Sequence, residues 1–388
     1  MKTPLFRLQY ELNDDIPYSE AGADNGAKLT ERIVDSDVKE IIDITSKLSP
    51  KNWLRWLNNH KDEYPSMVVL PLSTFTPEAM RYRMEGKRPK VLFFTRPLHT
   101  LYKLNECLYT ANELMDNGAY LCCHSMTAIL QRKLLETKYP WGVRFVVVRS
   151  HYLWHRVCPK LRLTRKLYFT LTEGKNRTFS RVEILGRLYR AGFEVVDEQF
   201  RQGEFFITAR KVKPPVQDTE PTGSPIIHLQ RKGKDGKDIV VHKFRTMYTY
   251  SEYIQTYIYR YQNLQSGGKF KDDYRVTMGG RFLRKVWLDE LPMVWNLVRG
   301  DMKLVGVRPL SKQYFNLYTP EMQELRTRTK PGLLPPFYYE RKSPETLEEV
   351  QESERRYLEA YFEAPFKTDW RYFWGIVGNI LFHRKHSA

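Results

Sequence analysis

The stretch RFLRKVWLDELPMVWNLVRGDMKLVGVRPL, residues 281–310, sets two adjacent carboxylates, Asp289 and Glu290, among basic and apolar residues. The apolar positions of its first part, RFLRKVWL, suit a helix that carries cations up to the acidic pair. Pro292 cannot continue that helix without losing a hydrogen bond, but it suits the first position of a new helix, PMVWNLV. The pattern therefore predicts that the pair lies at a joint between two helices, where free N–H groups favour anions.

The two carboxylates are expected to do different work, because adjacent residues on a helix do not share a face. One carboxylate can act as a nucleophile, and the other can hold a hard cation such as Mg²⁺ through oxygen. An acidic pair beside arginines is also typical of a surface ion-pair cluster. The pair taken alone does not decide between these interpretations.

A predicted hairpin upstream brings two further cations. Asp235-Gly236 stands between two β-rich runs, and both residues of such a pair tolerate positive φ. The second run would present Lys243 and Arg245 on one strand face, with Phe244 on the other. Two cations placed in this way can clamp a diphosphate, whereas a solvated basic edge that discourages aggregation is the alternative.

Length and charge limit the class of protein. A chain of 388 residues is too long for one ordinary core, so we expect two domains. The net charge of +18 favours polyanionic partners: nucleic acid, phosphorylated substrates or anionic lipid. No nucleic-acid recognition motif accompanies this charge, so we expect no nucleic-acid partner. The four cysteines lack metal-ligand spacing, and a chain of this length does not need disulfides for stability, so we expect a reducing compartment.

The N-terminal half alternates strand-like and helix-like runs. VLFF (91–94), AYLCCHS (119–125) and RFVVVRS (144–150) read as strands between helical patterns, which predicts an α/β domain with a largely parallel sheet. A helix over 180–193 and an antiparallel hairpin follow. This ending resembles the C-terminal part of class I methyltransferase-like Rossmann domains, over residues 90–211. No glycine-rich cofactor loop occurs before residue 211, so we expect a degenerate, non-catalytic Rossmann-like domain.

The domain boundaries follow from a polar, proline-containing stretch, KVKPPVQDTEPTGSP (211–225), whose composition is that of a linker. A helix-like run, SDVKEIIDITSKL (36–48), lies before the Rossmann-like region. The predicted parts are an N-terminal helical or mixed extension (1–85), the Rossmann-like domain (86–212), the linker (213–224) and a C-terminal domain (225–388).

Three motifs in order, HKFRTM (242–247), the stretch 281–310 and RTKPG (328–332), closely resemble the bacterial sugar transferase family. These are the monotopic polyprenyl-phosphate phosphoglycosyl transferases, and the resemblance covers roughly residues 223–388. It implies an α+β enzyme domain that transfers a phosphosugar from a nucleotide-diphosphate sugar, expected to be a UDP-sugar, to polyprenyl (undecaprenyl) phosphate. Such transfer initiates polysaccharide or glycoconjugate synthesis.

The resemblance also implies roles for residues. Asp289 would attack the β-phosphate and form a covalent aspartyl-phosphosugar intermediate, while Glu290 would help to bind Mg²⁺. The cations of the matching motifs would line the site and bind phosphate or nucleotide. These substrate- and phosphate-binding candidates are Lys243, Arg245, Arg281, Arg284, Arg308 and Lys330.

The sequence departs from the family pattern in three places. Val307 replaces the first proline of the family's GPRP motif, and Met293 stands where glutamine is usual. The polar linker replaces a hydrophobic re-entrant helix. No window approaches the ~20 consecutive apolar residues of a spanning helix, so any membrane contact is expected to be monotopic. A regulatory or scaffold protein that keeps the transferase shape without turnover is the alternative.

The C-terminal stretch TDWRYFWGIVGNILFHRKHSA predicts membrane contact. Asp369 can cap an amphipathic helix over 369–386, with an apolar stripe and a basic end, which is typical of helices in a membrane interface. Docking against the protein's own core is the alternative. The N-terminus has no sustained apolar core, so we do not expect it to be a secretory signal. For the transferase domain we expect attachment to the inner leaflet, at the cytoplasmic face of the inner membrane. The basic segment 156–171 is a second candidate for lipid contact, and a homo-oligomer or a membrane partner protein stays open.

Overall fold

The computed structural model describes residues 35–383 except 49, 72–74, 220, 222, 262–272, 341–343 and 345. The chain divides into two compact units. The first contains Met1–Gly223 and Tyr248–Tyr261, and the second contains Ser224–Met247 and Gln262–Ala388. The division after Gly223 falls within the segment predicted as the linker. The segment Tyr248–Tyr261, which the sequence had assigned to the C-terminal domain, belongs to the first unit.

The first unit contains a five-stranded sheet in the order β1-β2-β3-β5-β4. The strands β1, β2 and β3 are parallel, and the hairpin of β4 and β5 joins β3 in antiparallel pairing. The predicted strands at 91–94 and 119–125 and the predicted hairpin are confirmed. β1 lies in the segment predicted as an extension. The strands are Met67–Leu70 (β1), Val91–Phe94 (β2), Tyr120–Ser125 (β3), Phe193–Arg201 (β4) and Glu204–Lys211 (β5).

The helices of the first unit confirm the predicted helical runs at 36–48 and 180–193. The latter begins with a capping box, in which Ser180 and Glu183 each bond the other's backbone N–H. The helices are Ser36–Lys47 (α1), Pro50–His60 (α2), Pro77–Arg83 (α3), Leu104–Leu114 (α4), Ala128–Lys138 (α5), Trp141–Tyr152 (α6), Arg162–Thr172 (α7), Arg181–Arg190 (α8) and Gln255–Tyr261 (α9). A π-helical turn, Leu153–Val157, continues α6, and short 3₁₀ turns span Leu98–Thr100 and Ser251–Ile254.

The prediction of a strand at 144–150 is wrong, because these residues lie in the helix α6. Short apolar runs fit a buried strand and a helix equally well by periodicity. Here Pro140 occupies the N-cap position, and none of the residues of α6 is buried. A strand of a parallel sheet would instead be covered on both faces. The mixed α/β class holds, with three parallel strands rather than the longer parallel series that this run suggested.

The second unit begins with the predicted hairpin, formed by Ile226–Lys232 (β6) and Asp238–Phe244 (β7). Asp235 and Gly236 both adopt positive φ, at 56° and 71°, as the turn signal predicts. Lys243 pairs with Ile227 within the ladder, whereas Arg245 lies beyond the last residue of β7.

The remaining elements of the second unit are mostly helical. Among the described helices of the chain, none is both long and apolar enough to cross a membrane. The parallel strands are Lys303–Val305 (β8) and Gly332–Leu334 (β9). The helices are Met278–Lys285 (α10), Val294–Val298 (α11), Lys312–Phe315 (α12), Pro320–Thr327 (α13), Leu347–Glu363 (α14) and Pro365–His383 (α15), and 3₁₀ turns span Lys234–Gly236, Leu288–Met293 and Pro336–Tyr338.

The C-terminal helix differs from the prediction at its start. It begins at Pro365, so Asp369 lies inside the helix and does not cap it. The Asp369 carboxylate instead accepts hydrogen bonds from Lys303 Nζ at 3.1 Å and from the Tyr357 hydroxyl at 2.6 Å. These contacts tie α15 to β8 and α14. The predicted basic end, residues 384–386, lies outside the described residues.

Gly280 allows α10 to approach the chain segment that follows β7. A Cβ atom at this position would lie 2.0 Å from the carbonyl oxygen of Thr246, far inside van der Waals contact. The same oxygen accepts a hydrogen bond from Thr277 N at 2.8 Å. The preceding residue, Gly279, is exposed, and a Cβ atom there would meet nothing within 4 Å.

We expect Gly280→Ala to lower the free energy of unfolding by about 1–3 kcal/mol, because the added methyl group forces backbone apart. Gly279→Ala is the matched control, and it should be neutral or stabilising by up to about 1 kcal/mol, since alanine favours a helix. Urea denaturation of the full chain measures both. Equal effects of the two substitutions would show that the close approach to Thr246 is not needed.

Candidate active site

The acidic pair lies on the tight 3₁₀ turn Leu288–Met293, which follows α10. Trp287 precedes the turn with a φ of 61°, a left-handed conformation that costs a bulky residue about 1–2 kcal/mol. Its ring packs edge-on against Tyr338, with 4.7 Å between ring centroids. The turn lies between α10 and α11, so the predicted joint between two helices is confirmed. The prediction that Pro292 begins the second helix is wrong, since Pro292 lies within the turn and α11 begins at Val294.

Glu290 is fixed by an ion pair with β7. The Nζ atom of Lys243 donates to Glu290 Oε1 at 2.6 Å, and the two side chains are only 17% and 11% exposed. Burial lowers the pKa of Lys243, while the negative charge of Glu290 opposes that shift. The pairing joins the lysine of the HKFRTM motif to one carboxylate of the acidic pair, a contact that the sequence analysis had not predicted.

Asp289 is buried and has an oxygen that is not engaged. Its residue is 6% exposed, and its Oδ1 atom makes no hydrogen bond among the described residues. Burial raises the pKa of Asp289 and the adjacent charge of Glu290 raises it further, whereas Lys243 and Arg284 act in the opposite direction. An unsatisfied buried carboxylate oxygen is costly, and such groups point to a catalytic or ligand-binding role.

Two arginines add positive charge next to the carboxylates. Arg284 of α10 donates from Nε to the Thr246 hydroxyl at 3.0 Å, and its charge counteracts the raised pKa of Asp289. Arg308 is close enough to Lys243 that its charge lowers the pKa of that lysine. The structure thus brings together five of the predicted residues: Asp289, Glu290, Lys243, Arg284 and Arg308.

The other three predicted cations have different surroundings in the structure. Arg245 donates from Nε to the Ser224 carbonyl at 2.9 Å, at the start of the hairpin. Arg281 lies on α10 and is partly buried. The exposed Lys330 lies beside Gly300, where a Cβ atom would come within 3.6 Å of its Nζ. The described contacts of these three residues do not include either carboxylate.

Asn296 is a residue that sequence reasoning missed. Its fully buried side chain donates from Nδ2 to the Val240 carbonyl at 2.6 Å and accepts at Oδ1 from His242 N at 3.2 Å. It therefore clamps α11 onto the backbone of β7, immediately before Lys243. The signal available in the sequence was a single amide in the otherwise apolar run PMVWNLV.

Apolar packing supports the same clamp. Met293 is 2% exposed and forms a small core with Val241 and Met302. The family usually has glutamine at this position, and methionine fills the buried gap without a polar group to satisfy. The departure at Met293 is thus compatible with a well-packed turn below the acidic pair.

Arg326, also missed from the sequence, holds the backbone at Arg308. The buried guanidinium of Arg326 donates from Nη2 to the Arg308 carbonyl at 2.6 Å and forms an ion pair with Glu354. This contact fixes the main chain of the GVRP segment even though Val307 replaces the family's proline. Arg326 acts on the site through position, because its described contacts are with the Arg308 carbonyl, with Glu354 of α14 and with the ring of Tyr318.

The donor set fits Mg²⁺ shared with a substrate. Mg²⁺ is commonly held by one or two carboxylates together with substrate phosphates and water. Asp289 and Glu290 supply two adjacent carboxylates, and Asp289 Oδ1 is unengaged. Within the described ranges, no group of three His, Cys, Asp or Glu side chains is arranged to hold an ion. The two carboxylates thus suit an ion that is shared with a diphosphate.

The ion pair of Lys243 and Glu290 predicts a specific pattern of stability. Lys243→Met leaves Glu290 buried without its partner, and should lower the free energy of unfolding by about 2–4 kcal/mol. Adding Glu290→Gln removes the stranded charge and should restore a large part of that loss. Urea denaturation of the full chain measures the cycle. Additive losses in the double variant would contradict a direct coupling of the two side chains.

Comparison with known proteins supports this assignment of the second unit's motifs. EpsL of Bacillus subtilis (strain 168), an uncharacterized sugar transferase, is 39% identical over 112 residues, or 29% of this chain and 49% of the relative. The undecaprenyl-phosphate galactose phosphotransferase of Salmonella typhimurium is 35% identical over 117 residues, or 29% and 24%. The UDP-glucose:undecaprenyl-phosphate glucose-1-phosphate transferase of Klebsiella pneumoniae is 40% identical over 112 residues, or 28% and 22%.

The chain thus spans about half the length of the first of these relatives and about a quarter of the other two. The family described as Bacterial sugar transferase matches residues 216–382, a range that contains the acidic pair, Lys243, Arg284 and Arg308. The motifs, their geometry and these similarities agree: the C-terminal part of this chain, residues 216–382, matches the bacterial sugar transferase family.

Proposed function

We propose that this protein is a phosphoglycosyl transferase that moves a phosphosugar from a nucleotide-diphosphate sugar, a UDP-sugar, to polyprenyl (undecaprenyl) phosphate. Two of the relatives compared above are named for transfer to undecaprenyl phosphate. The observation that carries the proposal is the buried Asp289 with its unengaged Oδ1, next to a Glu290 that Lys243 holds in place. The reaction would initiate synthesis of a polysaccharide or glycoconjugate at the cytoplasmic face of the inner membrane.

The first step is a displacement at phosphorus. A carboxylate oxygen of Asp289 attacks the β-phosphorus of the donor, and a new oxygen–phosphorus bond forms. The bond from that phosphorus to the bridging oxygen breaks, and the nucleoside monophosphate leaves with the electron pair. The phosphosugar then remains on Asp289 as an acyl phosphate.

The second step regenerates the carboxylate. A phosphate oxygen of the polyprenyl phosphate attacks the same phosphorus, and the bond to Asp289 breaks with its electrons returning to the carboxylate. The product is a polyprenyl-diphosphate sugar. Proton transfer is not required in either displacement, because both nucleophiles are ionised oxygens and both leaving groups are stable anions.

The surrounding cations suit this chemistry, since phosphoryl transfer depends largely on positioning and on neutralising charge. The charge of Arg284 acts on Asp289, and the charge of Arg308 acts on Arg284, so both arginines can offer positive charge to a diphosphate bound at Asp289. Lys243 holds the Glu290 side chain in place, which leaves Asp289 as the carboxylate free to react. Mg²⁺, when bound by the carboxylates, would neutralise charge on the diphosphate and its leaving group.

An exposed apolar rim beside the site fits a lipid acceptor. The turn that holds the buried carboxylates presents apolar side chains outward, and α11 continues the same surface. The exposed fractions range from 41% to 73%, which is unusual for so many large apolar side chains in one short stretch. The rim consists of Leu288, Leu291, Val294, Trp295 and Val298.

The C-terminal helix α15 supplies a second apolar surface in this unit. Phe366, Trp370 and Trp374 recur every four residues and are 81%, 56% and 54% exposed. Their rings are in contact, with 6.3 Å and 5.7 Å between successive centroids. The opposite face, with Tyr372 and Ile376, is buried in the core. We infer that the aromatic face lies in the inner-leaflet interface, where such rings are favoured.

The first unit is proposed to be a Rossmann-like domain without catalytic activity. Its three parallel strands and the terminal antiparallel hairpin support the fold, and its sequence lacks a glycine-rich cofactor loop.

The proposal is tested by release of UMP from a panel of UDP-sugars, with undecaprenyl phosphate and Mg²⁺ present. We expect release with one or a few sugars, and loss of at least about a thousandfold in Asp289→Asn, because the nucleophile is removed. Tyr314→Phe, a change at a partly exposed tyrosine outside the site, is the control. No release from any sugar by folded, membrane-bound protein would favour the non-catalytic scaffold.

The role of α15 is tested by membrane binding. The double variant Trp370→Ser/Trp374→Ser should weaken sedimentation with inner-membrane vesicles at least about tenfold. Each tryptophan that inserts into the membrane interface would remove a large apolar area from water. Leu317→Ser, at a side chain 62% exposed in the same unit, is the matched control. Unchanged binding of the double variant would assign α15 to a purely structural role.

A further inference from the structure

The first unit also exposes a concentrated apolar surface. Fourteen large apolar side chains are exposed in its described residues, and ten of them lie within residues 141–172. Exposed apolar residues are normal when scattered, but a cluster of this kind marks an interaction site. The ten are Trp141, Val143, Phe145, Val146, Tyr152, Leu153, Leu161, Leu163, Leu167 and Leu171. We call this segment the 141–172 surface.

The helix α7 shows the pattern most clearly. Leu163, Leu167 and Leu171 recur every four residues, so they share one face of the helix. They are 92%, 55% and 63% exposed, whereas Tyr168 on another face is fully buried. The helix is therefore amphipathic, but its leucine face is the one that points to solvent. An ordinary surface helix turns such a face toward the core.

The helix α6 repeats this arrangement with aromatic residues. Trp141 and Phe145 are 81% and 58% exposed, and Arg149 stacks over the Phe145 ring at 3.8 Å from its centroid. These three residues also recur every four positions and share a face. The face thus combines apolar ring surface with a cation at its end.

The charge of this segment has one sign. Residues 137–172 contain eight Lys or Arg and no Asp or Glu. Arg156 and Lys160 point inward and pair with Glu183 of α8. Within the part of the chain that the structure describes, the outer cations form no ion pair: Arg144, Arg149, Arg165 and Lys166. The exposed side of the segment is therefore apolar and positive together.

The π-helical turn after α6 is packed against α7. Trp154, in the π-helical turn after α6, packs edge-on against Tyr168 with 5.6 Å between centroids, and His155 Nδ1 lies 3.1 Å from the Tyr168 hydroxyl. That hydroxyl also donates to the Lys175 carbonyl at 3.2 Å. The outward leucines are thus presented by a packed framework, so their exposure is built into the fold.

The geometry points to a membrane-docking surface in the first unit, formed by the 141–172 surface and specific for anionic phospholipid. Apolar stripes with tryptophan, tyrosine and leucine insert at the level of the head groups, and the cations are attracted to anionic lipid. The absence of carboxylates matches a uniformly negative surface, which favours a bilayer over a mixed-charge protein face. This surface is separate from α15, and its binding does not depend on the proposed reaction.

The test is flotation of the full-length protein with vesicles of phosphatidylglycerol and phosphatidylethanolamine, compared with vesicles of phosphatidylcholine alone. The variant Leu163→Ser/Leu167→Ser/Leu171→Ser should bind the anionic vesicles at least about tenfold more weakly. Arg165→Gln/Lys166→Gln should lose about tenfold at low salt and less at high salt. Tyr82→Ser, at a tyrosine 82% exposed in the same unit, should bind as the wild type does.

Circular dichroism and thermal melting check that the variants are folded. We expect them to fold, because the changed side chains are exposed. Binding of the leucine variant equal to the wild type would overturn the proposal, as would equal wild-type binding to both kinds of vesicle. A leucine variant that changes only the oligomeric state would assign the surface to protein association instead. UMP release in detergent tests the proposed transferase activity separately from membrane docking. The leucine variant should keep full activity there.

Discussion

Lys243 and Glu290 form an ion pair that is largely shielded from water, with 2.6 Å between Nζ and Oε1. Two adjacent carboxylates cannot be buried without compensation, because removing charges from water costs several kcal/mol for each ion. The lysine compensates one of them and so leaves Asp289 as the carboxylate with an unused oxygen. The close approach at Gly280 and the clamp by Asn296 hold α10, the turn and β7 in the positions that this pairing requires.

The fold was predictable where a residue pattern allows one structure only. The strands at 91–94 and 119–125 were found because their runs are apolar and bounded by turns, and Asp235-Gly236 fixed the hairpin because both residues accept positive φ. The run at 144–150 fits strand and helix alike, so its helical form could not be derived locally. Asp369 has the residue type of a cap, but its partners Lys303 and Tyr357 lie 66 and 12 residues away along the chain, in other elements.

The residues of the site likewise divide into those that the sequence predicted and those that it did not. Asp289, Glu290, Lys243, Arg284 and Arg308 stand in motifs that are readable from the sequence, and the structure brings them together. Asn296 and Arg326 position those residues through hydrogen bonds to distant main-chain carbonyls, which no local pattern announces. A membrane role was predicted for the C-terminal helix, and the exposed aromatic face of α15 is compatible with it. The basic segment 156–171 was a candidate for lipid contact from its sequence, but the outward direction of the α7 leucines could be recognised only once burial was known.

The central claim is that Asp289 reacts covalently while Glu290 does not. Intact-protein mass spectrometry after incubation with the UDP-sugar and Mg²⁺, without any polyprenyl phosphate, tests it most directly. The account predicts a mass increase of one phosphosugar, located on the peptide that contains Asp289 and discharged when polyprenyl phosphate is added. Turnover without any such adduct, or an adduct that persists in Asp289→Asn, would contradict it.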